Sequence, residues 1–156
     1  MEEIEVMTES KHNGIITPDK IYRLEKEISN LPQSECQVRH FFAPGMFARE
    51  MTIPAGTVLT GAVHKTEHLN IISKGRINVM TEEGMVEICA PHTMISKPGI
   101  KRAGYAIEET VWTTIHATEE TDIDKLVEEL TTSKNSELLG GIDNVQLQNN
   151  IRKLEG

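Results

Sequence analysis

The stretch from Cys36 to Ala117 is cut by turn-forming residues at intervals of roughly eight to twelve residues, and nothing else in the chain restricts its fold as strongly. The breaks are Pro44-Gly45, Pro54-Ala55-Gly56, Lys74-Gly75, Glu83-Gly84, Ala90-Pro91, Pro98-Gly99 and Glu108-Glu109. Between them lie short runs rich in Val, Ile, Thr and Phe, residue types that sit well on a pleated, half-buried surface. Proline has no N–H for a central ladder, and glycine supplies the positive φ of tight turns. The pattern predicts an all-β sandwich or barrel of about eight strands. One hairpin turn is placed at Glu82-Glu83-Gly84, and no helical period fits this region.

Helical patterns flank the β region. Residues 1–16 are polar and without period. Thr17 then reads as an N-cap, Pro18 as a first-turn residue and Asp19 as an acid at the positive end of the helix dipole. Ile21, Leu24, Ile28 and Leu31 make one apolar stripe that Pro32 ends. On the far side, Thr121 reads as a cap, with Ile123, Leu126, Val127 and Leu130 at helical spacing. A second stripe, Leu147, Ile151 and Leu154, is too short to stand alone. It is expected to dock on the β domain, on a neighbouring subunit or on another protein. The chain thus divides into an N-terminal arm and helix (1–34), a β domain (35–118) and a C-terminal helical tail (119–156).

Size and charge remove several function classes. A chain of 156 residues suits one ordinary domain. With 38% hydrophobic and only 4% aromatic residues, its core is aliphatic. A net charge of -8 argues against nucleic acid as the main partner, because phosphate binding needs a basic face. Cys36 and Cys89 show neither framework nor metal spacing and read as buried thiols of a reducing compartment. The acidic N-terminus is not a signal peptide, and no apolar run approaches the roughly 20 residues of a membrane span. A cytoplasmic protein is expected. There is no Gly-rich phosphate loop and no G-x-S-x-G elbow, and Ser, His and Asp are too scattered for a triad.

The candidate chemistry centres on "VHKTEHLNIISKG", Val63 to Gly75. Here His64 is read as closing one strand and His68 as opening the next after a tight link. Alternation puts His68, Asn70 and Ile72 on one face and Leu69 and Ile71 on the other, with Glu67 turned away from His68. Imidazoles on neighbouring strands converge if both face the interior.

At these residues the chain resembles the cupin superfamily. "IPAGTVLTGAVHKTEHLNIISKGRINV" is similar to the first cupin motif, in which a His-x-His pair, a spaced glutamate and a closing glycine follow one another. Counting back from Gly75, His68 stands at the glutamate position, and Ala62 and His64 stand at the His-x-His pair. "SKPGIKRAGYA" resembles the second motif, with Arg102 or Ala103 where the ligand histidine is usual. Together with "TVWTTIH", the pattern looks like small single-domain cupins encoded in tailed-phage and bacterial genomes. The resemblance covers residues 45 to 117 and implies a cupin-like jelly-roll β-barrel. It also implies that the last strand pairs with the strand opened by His68, which brings His116 level with it.

A divalent metal (Fe, Mn, Zn or Ni) on His64, His68 and His116 is the site that this topology allows, and Arg102, Tyr105 and Asn70 are the candidate ligand-binding residues. Each has a plainer reading. The histidines could be polar residues at a barrel mouth, Arg102 and Lys101 could make surface ion pairs, and Tyr105 and Trp112 could be core or interface packing. His92 is expected to be a solvated turn residue. Two functions follow. One is a non-enzymatic, homo-oligomeric scaffold or accessory protein, including a phage virion component, with a metal or small-ligand pocket. The other is a metal-dependent enzyme acting on a small polar substrate.

Overall fold

A computed structural model describes residues 18–32, 34–81 and 83–132. The expected second C-terminal stripe, the polar link before it, the N-terminal arm, Thr17 and Glu82 lie outside the described residues. Within them the architecture is mainly β with a helix on either side, as expected. Among the described residues nine strands form two antiparallel sheets. They are β1 (Gln37–Ala43), β2 (Met46–Ile53), β3 (Val58–Thr60), β4 (His68–Lys74), β5 (Arg76–Thr81), β6 (Gly84–Cys89), β7 (His92–Ser96), β8 (Ala103–Ala106) and β9 (Thr110–Ala117). One sheet has the order β1-β2-β9-β4-β7 and the other β3-β8-β5-β6. Among the described residues, no helix is long and apolar enough to cross a membrane.

The chain passes from one sheet to the other at Gly75, between β4 and β5. Its φ is 90°, and a Cβ there would lie 2.2 Å from the Glu109 carbonyl oxygen, so only glycine fits this corner. Gly84 (φ 111°) supplies the β5–β6 hairpin as expected. Alternation in β4 also follows the sequence reading: His68, Asn70 and Ile72 are buried and Leu69 is 42% exposed. The main core joins Cys36, Met51, Ile53, Ile72, Ile77, Val79, Ile88 and Ala106 between the sheets. Cys89 corrects the expectation of two buried thiols: it is exposed, because it ends β6 on the outer side. His92 is exposed as expected, but it opens β7 opposite Ile72.

The first helix, α1 (Pro18–Ile28), packs Ile21 and Leu24 on Met80 and Ala103, on the outer side of the four-stranded sheet. It ends before Leu31, which is 51% exposed and leaves the stripe. A polar tie fixes α1: Lys101 donates to Glu25 Oε2 at 2.7 Å, and the Thr60 hydroxyl donates to the same oxygen. Lys101 is therefore not in a surface pair; its side chain is 5% exposed. The second helix, α2 (Ile123–Leu130), is capped by Asp122 rather than Thr121. The Asp122 carboxylate accepts from the Asp124 and Lys125 amides at 3.0 and 3.2 Å. Leu126, Val127 and Leu130 bury against Phe47 and Ala62, each contributing about 1.5–3 kcal/mol.

Candidate functional site

Two of the three clustered histidines come from the five-stranded sheet. β4 and β9 run antiparallel with Leu69 opposite Ile115, which sets His68 level with His116. The third comes from a loop. β3 ends at Thr60, so His64 does not close a strand as the sequence suggested; it makes an isolated bridge with Thr131. Amide bonds hold that loop on both sides of the bridge. Lys65 N donates to Leu130 O at 2.7 Å, Thr132 N to Val63 O at 3.0 Å, and Gly99 N to His64 O at 2.9 Å. Helix α2 thereby presses His64 toward the sheet.

The three imidazoles meet. Ring centroids are 4.4 Å apart for His64 and His68, 4.6 Å for His68 and His116, and 5.1 Å for His64 and His116. His68 and His116 are buried, and His116 also stacks on Phe47 at 5.9 Å. His68 Nδ1 faces the Thr66 carbonyl at 3.2 Å; a carbonyl only accepts, so Nδ1 carries the proton. His116 Nε2 meets Thr114 Oγ1 at 3.0 Å, while its buried Nδ1 has no hydrogen-bond partner. Burial lowers all of these pKa values. It brings His64 to about 3, helped by His68, Arg49 and Arg102, and His116 to about 3, helped by His64, His68 and Arg49. His68 is lowered by burial and by Arg102, against an opposing bond to Thr66. All three rings are neutral at pH 7.

Beside this cluster lies a cavity of about 140 Å³. The five-stranded sheet gives it polar Arg49, His68, Asn70, Trp112 and Thr114 together with apolar Met51 and Ile53; the four-stranded sheet gives it Leu59, Ile77, Val79, Ala103 and Gly104. His64 and Arg102 line it from the loops, and the exposed Gly61 and Lys97 mark its mouth. A hydrogen-bonded chain stiffens the polar wall. Trp112 Nε1 donates to Asn70 Oδ1 at 3.0 Å, Asn70 Nδ2 donates to Ser96 Oγ at 2.7 Å, and Arg102 donates to the same hydroxyl.

Of the residues singled out in the sequence, His64, His68, Asn70 and Arg102 line the cavity. His116 lies behind the other two imidazoles and is not among the lining residues. Tyr105 corrects the expectation of a pocket residue: it does not line the cavity, although its β8 neighbours Ala103 and Gly104 do. Glu67 turns outward as expected and pairs with Lys97 at 3.6 Å. Trp112 packs on the main core, as weighed for it, and also donates into the polar wall. Arg49 was missed, though a signal existed. It is in phase with Phe47, Met51 and Ile53, the buried residues of β2, so alternation alone puts a cation on the inner face.

The donor set decides whether a metal fits. Neutral imidazoles are suitable ligand types. Their placement is not suitable. The unpartnered nitrogen of His116, Nδ1, is buried, and the planes of His64 and His116 lie within 17° of each other. His116 does not reach the cavity, and two guanidiniums and Lys97 line it. Among the described residues, no group of three or more His, Cys, Asp or Glu is placed to hold an ion. As arranged, the cluster does not fit a metal.

No protein-family model matches the chain, and no curated protein matches it. Solved structures similar to it include a cupin superfamily protein from Desulfitobacterium hafniense, at 6% identity over 58% of this chain and 84% of that one, with a TM-score of 0.48. A cupin domain from Bordetella pertussis is similar at 14% identity over 57% of this chain and 99% of that one, with a TM-score of 0.45. A conserved Streptococcus pyogenes protein of unknown function is similar at 14% identity over 57% of this chain and 79% of that one, with a TM-score of 0.46. Likeness at this level says nothing about ligand or reaction.

Proposed function

We propose that the protein is a small-molecule-binding sandwich that takes an organic ligand into the cavity between its two sheets, without chemistry of its own. The observation that carries this is the mixed lining of the cavity: Arg49, Asn70, Ser96 and Arg102 offer hydrogen-bonding groups, and Met51, Ile53, Leu59, Ile77 and Val79 offer apolar surface. Binding sites are commonly apolar with a few placed polar groups. A cavity of 140 Å³ is close to the roughly 150 Å³ that accommodates benzene elsewhere. The test is thermal unfolding of the full chain with benzene-sized probes such as benzamide and benzoate. At least one should raise the Tm with saturation, and Val79→Phe, which fills the cavity, should abolish the shift. Gly104→Ala is a milder check: a Cβ there meets Ile77 Cδ1 at 3.2 Å and Leu59 Cδ2 at 3.4 Å, crowding both toward the cavity. If no probe shifts the Tm, the reading is wrong. A metal-dependent reaction on His64, His68 and His116 would need His116 to bring its buried Nδ1 into the cavity.

Self-association is a second reading with its own observation. Phe41, Ala48, Ile115, Leu69 and Ile95 are register partners in turn across all five strands of one sheet, on its outer face. Phe41, Leu69 and Ile95 are 46%, 42% and 58% exposed. A contiguous apolar row of this kind suits an interface. The occupant is a second copy, because nearby charges are already paired, Arg39 with Glu50 at 2.8 Å and Lys97 with Glu67 at 3.6 Å. Two copies of a chain of charge -8 can therefore meet there without facing like charges. Light scattering should show a dimer that Leu69→Lys with Ile95→Lys converts to monomer; a monomer from the start would contradict it. A scaffold or virion role for such a dimer rests on the sequence resemblance alone.

A further inference from the structure

The polar wall of the cavity also selects charge. Arg49 and Arg102 line it and Lys97 stands at its mouth, while none of the described lining residues is Asp or Glu. Both guanidiniums lie close to the imidazole cluster: Arg49 opposes protonation of His64 and His116, and Arg102 opposes protonation of His64 and His68. The histidines therefore contribute hydrogen-bonding atoms without charge. The described lining, in a chain that is acidic overall, thus carries cations and no carboxylate. We propose that the cavity takes a monocarboxylate with a benzene-sized body, its carboxylate on Arg49 and Arg102 and its body against Leu59, Ile77 and Val79. This rests on the small-molecule reading above and names the ligand class.

Geometry favours a carboxylate. The planar guanidinium matches a carboxylate through two parallel N–H···O bonds, and its fork offers five N–H donors. The bond from Arg102 to Ser96 Oγ, backed by Asn70 and Trp112, holds that fork in place. Charge pairing is stronger inside a partly dry cavity than in water. The same cations repel a metal ion, in line with the ill-fitting donor set. The aliphatic wall supplies the rest: moving apolar surface out of water is favourable, so a bare inorganic anion gains only part of what the site offers.

Calorimetric titration of the EDTA-treated full chain at pH 7 tests this with benzoate and its neutral isostere benzamide. Benzoate should bind tighter by about tenfold or more, as expected for charge-assisted hydrogen bonds. Arg102→Gln, and separately Arg49→Gln, should bring the benzoate-to-benzamide ratio toward one, while Arg102→Lys keeps part of the preference. A far-ultraviolet spectrum and Tm confirm that each variant is folded, and the second arginine serves if the first variant is not. Benzamide binding as tightly as benzoate would overturn the anion assignment and leave the small-molecule reading standing. Failure of both probes would overturn both. Benzoate binding that appears only after zinc is added would overturn it in favour of a metal, and inorganic phosphate binding as tightly as benzoate would remove the role given to the aliphatic wall.

Discussion

The two sheets carry different interiors. The inner face of the five-stranded sheet presents Arg49, His68, Asn70, Trp112 and Thr114 to the cavity beside apolar Met51 and Ile53, while that of the four-stranded sheet presents only uncharged residues such as Leu59, Ile77, Val79 and Gly104. An ordinary sandwich fills both inner faces with aliphatic side chains. Here both sheets share the apolar filling, through Met51, Ile53 and Ile72 from one and Ile77, Val79 and Ile88 from the other. The polar exceptions cluster at one end, where the His64 loop and the Arg102 segment close over them. Buried polar groups add little net stability even when well bonded, and their concentration on one wall is what the proposed binding role accounts for.

The comparison has consequences that can be measured. The largest concerns the corner that joins the two sheets. Gly75→Ala places a Cβ against backbone at a φ that other residues rarely adopt. Destabilisation of about 3 kcal/mol or more, or loss of soluble protein, is expected in urea unfolding. Next comes the contrast between walls. Ile77→Ala should cost about 2–5 kcal/mol, as for other buried aliphatic truncations. Asn70→Ala should cost about 1–3 kcal/mol, from the partners it leaves to Trp112 and Ser96. Equal costs would erase the distinction between a packing wall and a binding wall.

Why part of this was legible in the sequence is a matter of periodicity. Alternation in "HLNIIS" gave the faces of His68, Asn70 and Leu69, because strand side chains repeat every two residues whatever the fold. The same rule applied to "FAREMTI" would have exposed Arg49. Alternation could not fix the position of His64, which depends on Thr131 and the amide bonds around it, nor that of Tyr105. Its surroundings depend on the strand order β3-β8-β5. The meeting of His116 with His68 came only with the pairing implied by the cupin resemblance. The Asp122 cap illustrates a smaller limit: Thr121 and Asp122 are both good caps, and the choice depends on where the chain leaves β9.

Acid sharpens the contrast further. His64 and His116 have pKa values near 3 in the folded chain, against an ordinary value of 6.5. The unfolded chain therefore binds more protons between these values, and stability must fall as pH drops below 6.5 toward 3. The stability is fully present above 6.5. Comparing urea midpoints at pH 7 and pH 5 isolates the histidines from most carboxylates. A lower midpoint at pH 5 is expected, with a shallower fall in His116→Gln; a flat profile would mean that the rings are already protonated or exposed. The smallest effect belongs to the outer face. Arg39→Ala removes an ion pair to Glu50 in which the arginine side chain is 67% exposed, and a change within about 1 kcal/mol is expected.

The most direct test is where a bound carboxylate lies between the two walls. Isotope-filtered nuclear Overhauser spectra of the methyl-labelled chain with benzoate should connect the ring protons to the methyl groups of Leu59, Ile77 and Val79. Contacts instead to Leu69 and Ile95, on the outer face of the other sheet, would contradict the account.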